Sequence, residues 1–358
     1  MTSGCQLAGR FYREVVAPLL AGAPHAAALL GEGSEVLGYD DEVSTDHSFG
    51  PRVQLFLSPD ADPGPVHARL DRLPQRFAGY PVAFPYVDRH DGRPHHQVEV
   101  TTVAAFFTGR LGTDPAARMD LGDWLLAPTQ RLATLTRGAV FHDPDGELAA
   151  RRAVLAWYPD DVWRYVLAAG WLRVGQEEPF VGRAGGRGDD LGSAVVGARL
   201  VRDLIRLAFL VERCWAPYSK WLGHAFGQLR LAAVVGPCLR AALRAPGWRE
   251  REAALCEAAS RLGAATNRLG LAAEVDPAPR QFYTRDVRVV HAERFTAALT
   301  AAVTDPQVRS LLDRLGYRAG SAVGALPGAV DQAVDSVDVL SYPDRCQAAA
   351  ALLGLHQR

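Results

Sequence analysis

Apolar and polar residues follow two different periods along the chain, and the change of period divides it. Residues 53–57 and 97–102 alternate in a way that is typical of β-strands with one buried face. Shorter apolar runs predict two more strands, at 82–87 and 139–141. Helical spacing predicts helices in the other periodic segments of this part, which are 6–30, 66–77, 102–111 and 123–135.

After residue 147 the helical period continues, and no segment alternates like a strand. The helices predicted there are 147–157, 160–175, 191–215, 220–243, 248–269, 294–304, 307–315 and a last one that starts at residue 344. Long amphipathic helices with short connections are typical of an antiparallel bundle. The predicted fold class is therefore α+β, with a mixed sheet and flanking helices in residues 1–146 and a helical bundle in residues 147–358.

Composition narrows the class of protein. The chain has 358 residues, of which 48% are apolar and 22% charged, and this predicts a soluble globular protein of two domains. A formal net charge of −1 gives the whole chain no attraction to nucleic acid or to a membrane surface. The five cysteines show no Cys-x-x-Cys spacing, no signal peptide is visible, and no apolar run could span a bilayer. We therefore expect a cytoplasmic protein with reduced thiols and no membrane partner.

The first residues that could bind a ligand or catalyse a reaction lie between the predicted helix 6–30 and the predicted strand 53–57. Gly33 and Ser34 begin this segment, and Asp46 follows before the strand. A Gly-Ser pair at the start of a helix offers backbone N–H groups and a hydroxyl to a phosphate. A carboxylate beside the next strand can hold a metal ion that the same phosphates also ligate. The segment therefore predicts a site for a phosphate and a metal ion.

Gly33-Ser34 followed by Asp46 resembles the nucleotidyltransferase superfamily, whose members carry Gly-Ser and then Asp-x-Asp on the adjoining strand. The longer string, Gly-Ser-x-x-x-Gly followed by Ser-x-Asp-His and Gly-Pro-Arg, resembles more specifically the DUF4037 branch. One position departs from the pattern, because the second aspartate falls on Ser48, which cannot supply a charge to a divalent metal. The resemblance implies an N-terminal domain of the nucleotidyltransferase type, with ATP as substrate and Mg²⁺ as cofactor.

The same resemblance implies roles for individual residues. Gly33 and Ser34 would bind the triphosphate, and Asp46 and Glu99 would be the metal ligands and catalytic carboxylates. Glu99 lies on the predicted strand 97–102, where such enzymes commonly carry a third carboxylate. The alternative is that Glu99 is a solvent-facing residue of an edge strand.

Glu177 is a further candidate, in the helical half. It lies where the predicted helix 160–175 gives way to a segment rich in glycine and arginine, which predicts a loop. In the antibiotic adenylyltransferases that this chain resembles, a glutamate of the helical domain deprotonates the acceptor hydroxyl. The resemblance thus implies that Glu177 is a general base, and the alternative is a surface charge.

Lys220 is the only lysine of the chain, and it lies in the first turn of the predicted helix 220–243. Ser219 can cap that helix. A lysine beside a helix N-terminus is disfavoured by the helix dipole unless an anion joins it. Ser219 and Lys220 are therefore predicted to bind the nucleotide phosphates. The alternative is a surface lysine between two tryptophans.

These expectations describe a metal-dependent nucleotidyltransferase that transfers AMP from ATP to a small-molecule acceptor, with the active site between the two halves. The alternative is a degenerate fold of this type that binds a nucleotide or a metabolite as a regulator without transfer, and Ser48 favours it. A nucleic-acid acceptor is disfavoured by the near-zero net charge and by the lack of a basic track interleaved with aromatic residues. The sequence leaves the oligomeric state open.

Overall fold

The structure, a computed structural model, describes residues 3–45, 49–84, 95–318 and 325–355. The chain forms two compact units, the first made of residues 1–119 and 131–156, the second of residues 120–130 and 157–358. A five-stranded sheet is combined with many helices, which confirms the predicted α+β class. The predicted domain boundary after residue 146 stays a prediction.

The first unit contains the five-stranded sheet and a small hairpin. The strands are β1 (Ala26–Leu29), β2 (Arg52–Phe56), β3 (Arg76–Phe77), β4 (Tyr80–Pro81), β5 (Ala83–Phe84), β6 (His95–Thr101) and β7 (Ala139–His142). The order in the sheet is β5-β6-β2-β1-β7, and β3 pairs with β4. β2 runs parallel to β6, whereas the other neighbours in the sheet are antiparallel.

β2 is a central strand, and its register determines what lies beside it. Gln54 pairs with Ala28 of β1 on one side and with Glu99 of β6 on the other. Every residue of β1 and β2 is buried, as expected for strands that are covered on both faces. The predicted strands 53–57 and 97–102 are confirmed as β2 and β6.

β1 corrects the sequence-based prediction of one helix over residues 6–30. The helical segment ends at Leu19, and Ala26–Leu29 form a strand between β2 and β7. The run Ala-Ala-Ala-Leu has a high intrinsic helix propensity. Sheet pairing on both sides outweighs that preference, because it satisfies the backbone hydrogen bonds of a fully buried segment.

The helices that begin before residue 157 are short. They are α1 (Gly4–Phe11), α2 (Ala17–Leu19), α3 (Ser34–Leu37), α4 (Gly64–Leu70), α5 (Val103–Leu111), α6 (Leu121–Leu126), α7 (Thr129–Thr136) and α8 (Glu147–Val154), with a π-helical turn at Tyr12–Val16. The predicted helix 123–135 is divided between α6 and α7, because Pro128 lacks an N–H group and Ala127 before it is extended. Phe11, Val53 and Leu55 belong to the apolar core of the first unit.

The described residues of the second unit are helical apart from a two-stranded hairpin. Its later elements are α9 (Asp160–Gly185), α10 (Asp190–Val211), α11 (Ser219–Phe226), α12 (Ala232–Arg244), α13 (Trp248–Asn267), β8 (Arg280–Gln281), β9 (Arg288–Val289), α14 (Glu293–Ala301), α15 (Pro306–Arg314), α16 (Val330–Ala333) and α17 (Pro343–Ala348). α9 packs along α10 and α14, and α12 packs along α13. The hairpin of β8 and β9 shows that the predicted absence of strands after residue 147 is wrong.

Helix α9 is ten residues longer than the predicted helix 160–175, because the glycines that suggested a loop allow close packing of helices. A Cβ atom on Gly182 would lie 2.4 Å from Glu252 Oε2, and one on Gly185 would lie 2.2 Å from Trp248 Cβ. Glu252 and Trp248 both belong to α13. The glycines therefore mark a helix contact, and the connection to α10 begins only at Gly186.

No helix in the described part of the chain is both long enough and apolar enough to cross a membrane. The cysteines Cys5, Cys214, Cys238, Cys256 and Cys346 are all free thiols. Burial raises the pKa of Cys256 to about 12, so this thiol stays protonated and has little nucleophilic character at neutral pH.

Candidate functional site

The turn at residues 31–34 (the 31–34 turn) connects β1 to α3. Gly31 and Gly33 have φ angles of +87° and +124°, which side chains other than that of glycine rarely allow. A Cβ atom on Gly33 would also lie 2.4 Å from Glu35 Oε2 and 2.5 Å from Arg52 Nη2. Ser34 is the first residue of the short helix α3. Gly33 is thus required both by its backbone conformation and by the side chains around it.

Buried polar side chains of β2 anchor this turn. The Gln54 side chain accepts a hydrogen bond from Leu30 N at 2.9 Å and donates one to Leu30 O at 3.2 Å. Arg52 donates to Glu32 O at 2.7 Å and forms an ion pair with Glu35. The Arg52 and Glu35 side chains are each only 10% exposed. The backbone of the turn is therefore tied to a central strand of the sheet.

Arg110 of α5 contacts a carboxylate of the turn and a carboxylate of β6. Its Nη2 atom lies 3.2 Å from Glu99 Oε2 and 3.8 Å from Glu32 Oε2. Arg131 of α7 forms a second ion pair with Glu32. These four residues are called here the Glu32–Glu99 cluster, and they bring the predicted site residue Glu99 to the 31–34 turn.

The cluster holds Glu32 in its charged form. Burial raises the pKa of Glu32, but the guanidinium groups of Arg131 and Arg110 lower it more, so the pKa lies below its ordinary value. The Arg110 guanidinium also stacks on the Phe106 ring, with Cζ 3.6 Å from the ring centroid. A Cβ atom on Gly31 would lie 3.1 Å from Arg110 Nε, so a glycine at this position leaves room for the arginine.

A magnesium ion fits this cluster in ligand type but meets a competing cation. Glu32 and Glu99 offer the oxygen ligands that Mg²⁺ prefers. Both carboxylates already contact Arg110, however, and a metal ion would have to replace it. Among the residues that the structure describes, no group of three or more His, Cys, Asp or Glu side chains could hold a metal. The predicted ligand Asp46 and its neighbour Ser48 lie outside the described residues.

Glu177 lies inside α9 rather than at a helix end, which corrects the predicted local structure. Its carboxylate pairs with Arg199 of α10, with Oε1 3.1 Å from Nη2. The Glu177 side chain is 17% exposed, so it is more enclosed than the surface charge of the alternative interpretation. The ion pair connects α9 to α10, and its arginine is 58% exposed.

Ser219 and Lys220 form the first turn of α11, as predicted for Lys220. Ser219 is not the N-cap, because that position belongs to Tyr218, which makes no capping hydrogen bond through its side chain. Ser219 and Lys220 are both exposed, and Lys220 Nζ lies 4.9 Å from the centroid of the Trp221 ring. This contact agrees with the alternative of a surface lysine beside tryptophan, and it leaves the ammonium group accessible to an anion.

A second group of carboxylates, in the second unit, was not singled out from the sequence. Glu178 of α9 accepts hydrogen bonds from Val290 N at 2.8 Å and from Ala292 N at 2.9 Å. Burial raises the pKa of Glu178 to about 7, and it also raises the pKa of Glu252. Both residues line an internal cavity of about 20 Å³ together with Cys256, which is room for about one water molecule.

The sequence carried only a weak signal for this second group. Glu178 lies 112 positions before the backbone group of Val290 that it binds, so no local pattern links them. A usable hint was the pair of adjacent acids, Glu177 and Glu178, within an otherwise apolar helical period. Adjacent helix positions point in different directions, and here one acid contacts α10 while the other contacts the segment before α14.

The described fold defines a protein with a mixed α/β unit and a helical unit, and the predicted site residues fall into two groups. Gly33, Ser34 and Glu99 lie together in the first unit, whereas Glu177, Ser219 and Lys220 belong to the second.

Comparison with known proteins gives one segment of similarity. Residues 124–222 match a family described as Domain of unknown function (DUF4037). The match covers less than half of the chain, and it includes Glu177 and Lys220 but neither the 31–34 turn nor Glu99. It supports the predicted DUF4037 resemblance over this segment and carries no link to the nucleotidyltransferase superfamily. No curated protein and no solved structure matches the chain.

Proposed function

We propose that this chain is a nucleotidyltransferase that transfers a nucleoside monophosphate, AMP from ATP, to a small-molecule acceptor. The observation that carries the proposal is the Glu32–Glu99 cluster. Arg110 joins a carboxylate of β6 to a glycine turn that leads into a helix. Cations that can bind phosphate and carboxylates that can bind a metal ion therefore lie at one turn.

The proposed roles follow from the type and position of each residue. Gly33 and Ser34 bind the phosphates at the 31–34 turn, because a glycine lets the backbone approach them closely. Asp46 and Glu99 are the proposed ligands of Mg²⁺, which when bound neutralises charge on the transferred phosphate group.

The helical unit supplies the remaining proposed groups. The exposed side chains of Ser219 and Lys220 bind the outer phosphates of the nucleotide, where Lys220 acts as a point charge. Glu177 accepts the proton of the acceptor hydroxyl, and its partly buried carboxylate contacts Arg199. The proposed acceptor is a small molecule rather than nucleic acid, because a net charge of −1 gives the whole chain no attraction to nucleic acid.

The test is release of pyrophosphate and labelling of an acceptor. The purified chain is incubated with Mg²⁺, ATP labelled on the α-phosphate and a fractionated metabolite extract. We expect Asp46→Asn, Glu99→Gln and Lys220→Ala each to lower the rate by about 100-fold or more, the usual effect of removing one charge-stabilising group. Glu14→Gln is the matched control, because Glu14 is a half-exposed helix residue that pairs only locally with Arg10. Equal rates in Glu99→Gln and Glu14→Gln would contradict the assigned role.

Two observations favour a second candidate function, which is nucleotide or metabolite binding without transfer. Glu99 contacts an arginine, and Ser48 replaces the second aspartate of the motif. The variant Ser48→Asp separates the two functions. It should raise turnover and Mg²⁺ affinity if the chain is a transferase, and it should leave a binding protein without any transfer.

A further inference from the structure

Arg110 differs from Arg52, which also contacts the 31–34 turn, in the exposure of its partners. Arg52 pairs with Glu35, whose side chain is 10% exposed, whereas Arg110 pairs with Glu99, whose side chain is 40% exposed. The second contact of Arg110, to Glu32, is longer at 3.8 Å, and Glu32 keeps Arg131 as another partner. Ion pairs with exposed partners are weak because water competes for both charges. Arg110 can therefore leave its carboxylates at little cost.

The surroundings of Arg110 favour an exchange of partner rather than a loose side chain. The guanidinium is held flat against Phe106, and its side chain is 18% exposed. Its Nε atom is buried and has no hydrogen-bond partner in the part of the chain that the structure describes. A guanidinium binds a phosphate through two parallel N–H groups, which is a stronger contact than a single longer pair with an exposed carboxylate.

We propose that Arg110 is a displaceable counter-ion of this site. It neutralises Glu99 and Glu32 while no nucleotide is bound, and it contacts the nucleotide phosphates when one binds. This inference rests on the proposed function and deepens it, because the exchange leaves Glu99 charged and available beside the phosphates. Binding of a divalent ion to the protein alone is then opposed by Arg110, and nucleotide binding relieves that opposition.

Two separate titrations test the exchange without mixing metal and nucleotide. Mn²⁺ is titrated into the nucleotide-free protein and followed by electron paramagnetic resonance. A non-hydrolysable ATP analogue is titrated in EDTA and followed by calorimetry. For Arg110→Gln we expect Mn²⁺ to bind about 10-fold more tightly and the analogue about 10-fold more weakly than in the unmodified protein, within the usual range of coupling between sites.

The controls assign both effects to this cluster. Arg10→Gln, on the exposed face of α1, should change neither titration. Adding Glu99→Gln to Arg110→Gln should abolish the gain in Mn²⁺ affinity. Arg110→Lys keeps the charge but not the two parallel donors, so it should weaken the analogue and leave Mn²⁺ binding as low as in the unmodified protein. Circular dichroism checks that each variant is folded.

The possible outcomes separate this inference from the proposed function. If the unmodified protein binds no analogue either in EDTA or with Mg²⁺, the proposed function fails and the exchange fails with it. If it binds the analogue only with Mg²⁺, the function stands and the metal-free exchange is wrong. If it binds the analogue but Arg110→Gln changes neither affinity, the function stands and the exchange is wrong. If Arg110→Gln does not fold, Arg110→Lys decides, because unchanged analogue affinity in that variant would overturn the proposal.

Discussion

The two units hold their carboxylates in different ways. In the first unit, Glu32, Glu35 and Glu99 each contact a guanidinium group. In the second unit, Glu178 accepts two backbone N–H groups, and Glu252 has one buried oxygen without a hydrogen-bond partner among the described residues.

Because their partners differ, the pKa values of Glu32 and Glu178 shift in opposite directions. Burial is the largest influence on both Glu32 and Glu178, and in both it raises the pKa. The pKa of Glu32 nevertheless falls, because Arg131 and Arg110 outweigh burial, whereas that of Glu178 rises to about 7. A carboxylate with a cationic partner thus stays charged and can exchange that partner for a ligand. In Glu178 the two backbone N–H groups lower the pKa less than burial raises it, so this carboxylate responds to pH near neutrality.

The largest effect is expected where a guanidinium is removed from a buried pair. Arg52→Met leaves Glu35 buried without the cation, so we expect the free energy of unfolding to fall by about 3–5 kcal/mol. Urea denaturation measures the change. Arg10→Met is the matched control on an exposed pair and should have a far smaller effect. A similar loss in both variants would show that the guanidinium is not what holds the buried carboxylate.

The next effect is a pH dependence of stability that comes from Glu178. Its pKa is about 7 in the folded protein and near the ordinary 4.5 when unfolded. Between these values only the folded state keeps the proton, so the free energy of unfolding decreases as the pH rises, by up to about 3 kcal/mol. Urea denaturation from ~pH 5 to ~pH 8 measures this decrease, and Glu178→Gln should remove most of it.

Several charged groups face Glu178 and enter this pH dependence. Glu252 and Arg288 line the same cavity, and Glu293 and Arg294 at the start of α14 act on its pKa in opposite directions. Glu252 has a raised pKa as well and adds a decrease of the same sign. Glu257→Gln, at an exposed position of α13, is the control that should keep the full dependence. The assignment to Glu178 is wrong if Glu178→Gln retains it too.

The smallest effect on stability is expected at the proposed catalytic carboxylate. Glu99 is 40% exposed, so Glu99→Gln should lower the free energy of unfolding by less than about 1 kcal/mol. The same variant should lose most of the proposed transfer activity, which separates a functional role from a structural one. A destabilisation as large as that of Arg52→Met would place Glu99 among the structural carboxylates instead.

Periodicity predicted the elements whose own residues follow a strand or helix period. β2 and β6 alternate between apolar and polar residues, and α5 has a clear helical period after its N-cap Thr102. β1 escaped prediction because its alanine-rich run favours a helix until two neighbouring strands are present. The end of α9 escaped because a glycine in a loop and a glycine in a tight helix contact look the same in one sequence.

The sequence likewise predicted only some residues of the candidate site. Gly33, Ser34 and Glu99 were named from a resemblance, and Arg110 connects Glu99 to the turn that contains Gly33 and Ser34. Arg110 and Arg131 were not named, since Arg131 contacts Glu32 across 99 positions of the chain. A contact of that separation leaves no trace in local spacing.

The sequence by itself determined the mixed sheet followed by helices, the glycine turn before α3 and the candidate carboxylate of β6, because each depends on neighbouring residues and backbone preferences. Only the tertiary structure decided that β1 is a strand, that Arg110 faces Glu99 and Glu32, and that Glu178 binds backbone groups far along the chain. The reason is physical: burial and charge pairing act between residues that the fold brings together, whatever their distance in sequence.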